Sequence, residues 1–408
     1  MKLTRRQIIT TSLSLGVSAL AWKYFNGSIE TTGFAPKGLI LGGGQGLHQG
    51  QQIYFLSAVN LNSAKPDISH IPLDFLGHGL SFNPLNSNLV SIFEKKGPGA
   101  CELNLMTGET RKIETDKSRF FYGHGVYVLD QKSNLGFQNK IEPKSTAPTK
   151  SFSNLKLLST ETVLSTGEGL IVIRDAMTLK IEGQFPSYGA NPHDCKLIEN
   201  GSVLAITNGG APIGQNPKPS VTYVDVYTQK LLEKFEIEDQ RLNAGHLAIS
   251  NNMDLVVVSA PRLGLPETDN GSISLMLNNN VKGLSNTKSN IQLSAQKKLI
   301  TLTEPKAIID RLKSETLSLC IDERRGIIVA TSPTGNLVTF WNLKTGQFIS
   351  SLEMPKPRGI IQSKDKAYFL ISYDLDASLV FVDADTLKLD ESLKVSRAGF
   401  SGSHLYSI

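Results

Sequence analysis

Four histidines recur in one local setting: His78 in GHGLSF, His124 in FYGHGVYV, His193 in PHDCKL and His246 in GHLAIS. Each heads an apolar run, and in three of the four a glycine comes immediately before it. A neutral imidazole binds copper, iron, nickel or zinc through one ring nitrogen, while a carbonyl or carboxylate on the other fixes the tautomer. Four such side chains, if they converge, make a transition-metal site. Asp194, next to His193, and Tyr122, two residues before His124, are placed to support the rings. The plainer role for a polar residue in such a place is to bond to neighbouring backbone or internal water, locking adjacent units together. His48, His70 and His404 lie outside the pattern and are expected at the surface.

Convergence requires a closed repeat, and one short pattern does recur. Its copies are CELNLMTGETRKI from 101, VIRDAMTLKIEGQF from 172, TYVDVYTQKLLEKF from 222, TFWNLKTGQFISSL from 339 and VFVDADTLKLDESL from 380. In each, the short side chain of Asn104, Asp175, Asp225, Asn342 or Asp383 can accept hydrogen bonds from backbone amides two residues on, closing a turn between antiparallel strands. A second strand pair precedes most of these turns, as in GSVLAITNGG and GIIVATSPTGNLVTF. Four short strands in about 40–50 residues read as one propeller blade, which cannot bury both faces until its neighbours stack on it. Residues 38–408 therefore predict an all-β, seven-bladed β-propeller with four-stranded antiparallel blades. These fall near 38–76, 77–121, 122–187, 188–243, 244–312, 313–355 and 356–398, and the tail 399–408 is placed to close the first.

On this alignment the four histidines share one position, at the head of the strand that borders the central channel, and crowd one mouth of it. The same place in the last two blades holds Ser318 and Arg358, so Arg358 joins Tyr122 and Asp194 as a supporting residue. Gly77, Gly79, Gly123, Gly125 and Gly245 mark places where backbone passes close to the axis or to a ligand. Two stretches exceed the repeat. Residues 138–169, rich in Ser, Thr, Lys and Pro, read as an exposed loop. In TEPKAIIDRLKSE, Thr303 caps and Pro305 starts a short helix with Ala307, Ile308 and Leu312 on its apolar face. GGGQG at 42–46 lacks the dinucleotide-binding spacing and is followed by a strand, so it reads as a turn.

The bulk numbers exclude several classes. With 40% hydrophobic and 19% charged residues the chain has an ordinary globular composition. Its formal charge of +5 includes three basic residues within the first 21, which hold no acid, so the remainder is nearly neutral. That is no nucleic-acid binder. Cys101, Cys195 and Cys320 are an odd, widely spaced count, read as core residues rather than a disulfide or thiolate-metal framework. Residues 1–21 combine Arg5-Arg6, an apolar run and Ala19-Leu20-Ala21, an export signal of twin-arginine (Tat) type, too short for a comfortable membrane span. A linker over 22–37 and a mature chain without a membrane span follow, in a periplasmic location.

The combination of RRQ, GHGLSFNP, KKGPG, FYGHGVY, PHD, ITNGG, VTYVD, GHLAI, TSPTGNLVTFWNLKTG and RGI resembles the exported propeller family called domain of unknown function 1513. The likeness covers nearly all of the chain after the leader. It implies a seven-bladed propeller of the quinoprotein-dehydrogenase-like, YVTN-type kind. It also implies a periplasmic part in bacterial iron uptake beside imelysin-like and di-haem oxidoreductase-like partners. Gln138-Asn139 stands where relatives carry Glu-Asn, and Cys195 where an aliphatic residue is more usual.

Three functions compete. The leading expectation is a periplasmic metal-binding propeller for iron or copper, with His78, His124, His193 and His246 as ligands. A second is a non-enzymatic scaffold presenting loops to iron-uptake partners. The third is an enzyme, such as a lactonase or metal-dependent oxidoreductase; no catalytic triad, P-loop, HExxH or CxxCH is present to assign catalytic residues.

Overall fold

The computed structural model describes residues 37–62, 66–129, 154–278, 298–374 and 376–408. The expected leader, nearly all of the linker, Gln138-Asn139 and the first part of the 138–169 segment lie outside the described residues.

The first strands are β1 (Leu39–His48), β2 (Gln51–Asn60) and β3 (Asp67–Leu73). β28 (Tyr406–Ser407) pairs antiparallel with β1, giving the order β28-β1-β2-β3, so the tail closes the first sheet as expected. Next come β4 (Gly77–Phe82), β5 (Leu89–Gly97), β6 (Ala100–Asn104) and β7 (Thr110–Lys112). A second run of four comprises β8 (Arg119–Leu129), β9 (Leu155–Val163), β10 (Glu168–Asp175) and β11 (Ile181–Ala190). These two runs share one eight-stranded sheet, joined where β5 meets the start of β8 at Lys95↔Tyr122 and Gly97↔Phe121.

A second eight-stranded sheet is built the same way. Its runs are β12 (Pro192–Ile198), β13 (Val203–Asn208), β14 (Ser220–Asp225) and β15 (Leu231–Ile237), then β16 (Leu247–Ile249), β17 (Leu255–Ser259), β18 (Ser272–Met276) and β19 (Lys298–Thr301). A two-residue parallel contact between β15 and β19 connects them. The chain ends in two four-stranded sheets: β20 (Leu319–Asp322), β21 (Ile327–Ser332), β22 (Leu337–Asn342) and β23 (Phe348–Glu353), then β24 (Ile360–Gln362), β25 (Tyr368–Tyr373), β26 (Ser378–Asp383) and β27 (Leu389–Val395).

The middle strands are buried on both faces because each run packs against the next. Leu158, Ile171 and Ile173 meet Leu204, Ile206 and Val224 in one cluster, and Val256, Val258 and Ile273 meet Ile328, Ala330 and Trp341 in another. The ring closes apolar as well: Ile40 and Val59 pack with Leu370, Leu379, Phe381 and Val395. Each such side chain, fully buried, contributes about 1.5–3 kcal/mol. The first strands of successive runs lie against one another, β4 on β8, β8 on β12, β16 on β20 and β20 on β24. This is a β-propeller, all-β apart from short helical turns among the described residues.

The turn chemistry is as the sequence predicts. Asn104 Oδ1 accepts from the Met106 and Thr107 N–H groups, Asp225 Oδ1 from Tyr227 and Thr228, Asn342 Oδ1 from Lys344 and Thr345, and Asp383 Oδ1 from Asp385 and Thr386. Asp175 Oδ1 takes both the N–H and the hydroxyl of Thr178.

Three local expectations fail. GGGQG at 42–46 is not a turn but lies within β1, paired with β2 from Gly42↔Ser57 to Gly46↔Ile53. Leu155–Val163 is not exposed loop but the buried strand β9. Ser159 and Glu161 are satisfied internally: Arg174 donates to Ser159 Oγ and to Glu161 Oε1, both at 2.6 Å, and Thr115 donates to Glu161 Oε2 at 2.5 Å. The helix α1 (Lys306–Ile309) forms, but Pro305 occupies its N-cap and no side chain caps it, so Thr303 does not play that part.

Candidate metal centre

His78 lies in β4, His124 in β8 and His193 in β12, while His246 immediately precedes β16. The first three fall inside register shifts, between Gly77 and Gly79, between Phe121 and Gly125, and between Pro192 and Cys195. A bulge takes residues out of the ladder and re-aims a side chain. Glycine makes the convergence possible. A Cβ on Gly79 would stand 2.2 Å from the Gly123 carbonyl oxygen and 2.8 Å from His124 Nδ1, and one on Gly123, whose φ is +116°, 2.5 Å from His78 Cδ2. Each GHG motif thus clears space for the histidine of the other.

All four rings are buried, and their donor atoms lie within 4.8 Å of one another. His193 Nε2 is 2.7 Å from His246 Nε2, and His78 Nε2 is 3.3 and 3.2 Å from those two. Nitrogens bound to one ion at about 2.0–2.1 Å stand about 2.9 Å apart at right angles and about 3.4 Å apart in a tetrahedron. The trio's spacing matches donors around a shared ion. His246 Nδ1 sits 2.5 Å from the Leu317 carbonyl oxygen, so that nitrogen carries the proton and donates it, leaving Nε2 with its lone pair. His124 Nδ1 faces Asp194 Oδ1 at 3.3 Å, and its Nε2 is buried without a hydrogen-bond partner. Asp194 Oδ2 also accepts from the Leu247 N–H at 3.0 Å, so one carboxylate orients His124 and anchors the strand that follows His246.

Electrostatics keep the cluster neutral. Burial holds His78, His193 and His246 well below the ordinary imidazole range and His124 at about 3, and the charge on Lys95 adds to this at His78, His124 and His193. Burial lowers Lys95 itself to about 8. His193 and His246 also border a cavity of about 630 Å³ lined by Lys95 and Tyr122.

The other expected residues divide. Asp194 faces His124. Tyr122 stands edge-on to His193, 5.7 Å between ring centres, instead of beside His124. Arg358 holds the tail, its Nε 3.4 Å from the Gly402 carbonyl oxygen, and Ser318 Oγ accepts from the Ile360 N–H at 3.4 Å. Cys101 and Cys195 are buried and Cys320 half-buried; burial pushes the thiols up, Cys101 and Cys320 to about 12, in keeping with core residues.

Of the three histidines expected at the surface only His48 is there. His70 is buried against Phe55 at 4.4 Å between ring centres. His404 joins the cluster, with ring centres 4.0 Å from His246, 4.8 Å from His124 and 5.0 Å from His78, and its Nε2 is buried without a hydrogen-bond partner. It precedes β28, the strand the tail adds at the edge of the first sheet, and so occupies the same place as the other four. The missed signal is the tail SHLYS, which parallels GHLAIS.

Fold and site together define a β-propeller with a buried four-histidine group able to hold a metal ion. The chain belongs to the family described as "Protein of unknown function (DUF1513)", whose profile matches residues 153–399. No curated protein matches it. A chain of "Kuenenia stuttgartiensis Hydrazine Synthase" aligns with TM-score 0.56 at 8% identity, over 81% of this chain and 92% of that one. A chain of "Crystal Structure of Mitotic Checkpoint Complex" aligns with TM-score 0.50 at 12% identity, over 78% and 76%. "Structure of Dos1 propeller" aligns with TM-score 0.47 at 13% identity, over 78% and 72%. At such identities the likeness concerns the fold alone.

Proposed function

We propose that this chain is a seven-bladed propeller that binds a transition-metal ion, iron or copper, through His78, His124, His193 and His246. The blade count reads each eight-stranded sheet as two blades and agrees with apolar clusters between every successive pair of runs, including the last and the first. The metal reading is carried by one observation: three Nε2 atoms meet at 2.7–3.3 Å while His246 Nδ1 and His124 Nδ1 are committed to oxygens on the far side. Family membership and the leader support a periplasmic role in iron acquisition beside imelysin-like and di-haem oxidoreductase-like partners. Protein exported natively and purified without chelators is expected to carry about one ion per chain. His124→Ala and His193→Ala should each abolish that content, and unchanged content in both defeats the assignment.

A second reading, a scaffold whose histidines are structural, draws support from the Asp194–Leu247 and His246–Leu317 bonds, which tie neighbouring runs together. It expects metal-free protein and partner capture that survives both substitutions.

A further inference from the structure

The cluster has an open side. His193 and His246 line the cavity of about 630 Å³, whereas His78, His124 and His404 do not. The volume suits a small organic molecule and exceeds what one or two waters need. An ion on the histidines would therefore keep a coordination position facing a space large enough for an added ligand.

The charges around that space call for an anion. Four neutral imidazoles bring no negative charge to a bound cation, and the carboxylate beside them, Asp194, is engaged with His124 and Leu247. Lys95 and Lys96 line the cavity, and Lys95 lies near enough to three of the histidines to oppose their protonation. Arg358 stands in electrostatic reach of Lys95 and of Glu315 on the cavity wall. Arg262 is occupied, donating to the Ala211 and Gln215 carbonyl oxygens at 2.7 and 2.6 Å. Lys95, Lys96 and Arg262 on the wall exceed Glu315 and Glu267 by one charge, and the charge of a bound metal would add to that excess. Unbalanced charge in a partly desolvated site is costly, and a ligand of opposite sign removes the cost.

We propose that the cavity receives a small organic carboxylate, one oxygen ligating the histidine-bound ion and another pairing with Lys95. The inference rests on the metal reading above and adds the class of co-ligand. Copper(II)-loaded protein would be titrated with malonate, with neutral malonamide and with imidazole, following the visible copper spectrum, and its metal content measured after gel filtration. Malonate should bind wild type at least tenfold more tightly than malonamide. Lys95→Met should weaken malonate at least tenfold, leave imidazole binding within about twofold and keep the copper content, while Lys95→Arg should retain malonate binding. Equal binding of malonate and malonamide to wild type overturns the proposal without recourse to any variant, as does malonate affinity unchanged in Lys95→Met. Wild-type protein that takes up no copper is a separate result: it defeats the metal reading itself, and the co-ligand falls with it.

Discussion

Lowering the pH from 7.5 to 5.5 should destabilise the metal-free protein steeply. An imidazole in the unfolded chain titrates near 6.5. In the folded chain burial holds His78, His193, His246 and His404 well below that and His124 at about 3. Above 6.5 both states are neutral and stability does not depend on these groups. Below 6.5 the unfolded chain binds protons that the folded chain refuses, so stability falls with pH until the folded values are reached. Each refused proton costs about 1.4 kcal/mol by pH 5.5, and five rings together about 7 kcal/mol. A domain's whole stability is about 5–15 kcal/mol, so this loss is decisive. Ordinary carboxylates titrate near pH 4 and contribute little in this window.

The assay is urea unfolding of chelator-treated protein at pH 7.5, 6.5 and 5.5, with His193→Gln as control. The midpoint should drop little over the first step and sharply over the second, and the control should be less steep by about one ring's share. Equal midpoints at 7.5 and 5.5 would mean that the rings accept protons in place, and the packed neutral cluster described above would be wrong.

Because the folded imidazoles are already neutral, protons should not compete with the metal where the metal-free protein stays folded: calorimetric affinity should change less than about threefold from pH 7.5 to 6.5, where four ligands of ordinary basicity would lose about tenfold. Gly79→Ala places a Cβ 2.2 Å from the Gly123 carbonyl oxygen and 2.8 Å from His124 Nδ1, so it should displace His124 and cut metal content even where circular dichroism shows the sheets retained. Arg174→Met removes the cation that bonds Glu161 at 2.6 Å and leaves the carboxylate Arg119 at 3.5 Å and the Thr115 hydroxyl, so the urea midpoint should fall by the equivalent of about 1.5–3 kcal/mol.

The parts of the fold legible in the sequence are those whose cause is local. Asn104, Asp225 and Asn342 close their turns with bonds to amides two and three residues on, so a short window carries the whole signal. The GHG motifs are legible for a related reason: the two glycines serve a histidine on the adjacent strand, and adjacent strands repeat the same words. β9 is hidden because its stability is not local. Ser159, Thr160, Glu161 and Thr162 are all buried, and the cations that pair with Glu161, Arg174 on β10 and Arg119 on β8, sit on other strands. No hydrophobic period marks such a strand.

His404 exposes a limit of repeat reading in a closed ring. The first run has three strands of its own, and the strand at its inner edge comes from the other end of the chain through Ile40↔Ser407 and Leu41↔Tyr406. A histidine that belongs by position with the earliest repeat is therefore written last in sequence, ahead of a strand only two residues long. Ring closure therefore adds a fifth imidazole to a group of four that successive runs already bring together: docking of β28 sets His404 beside His78, His124 and His246. An ion held there would favour the closed ring over the open one by its differential affinity for the two, which ties metal occupancy to the integrity of the propeller.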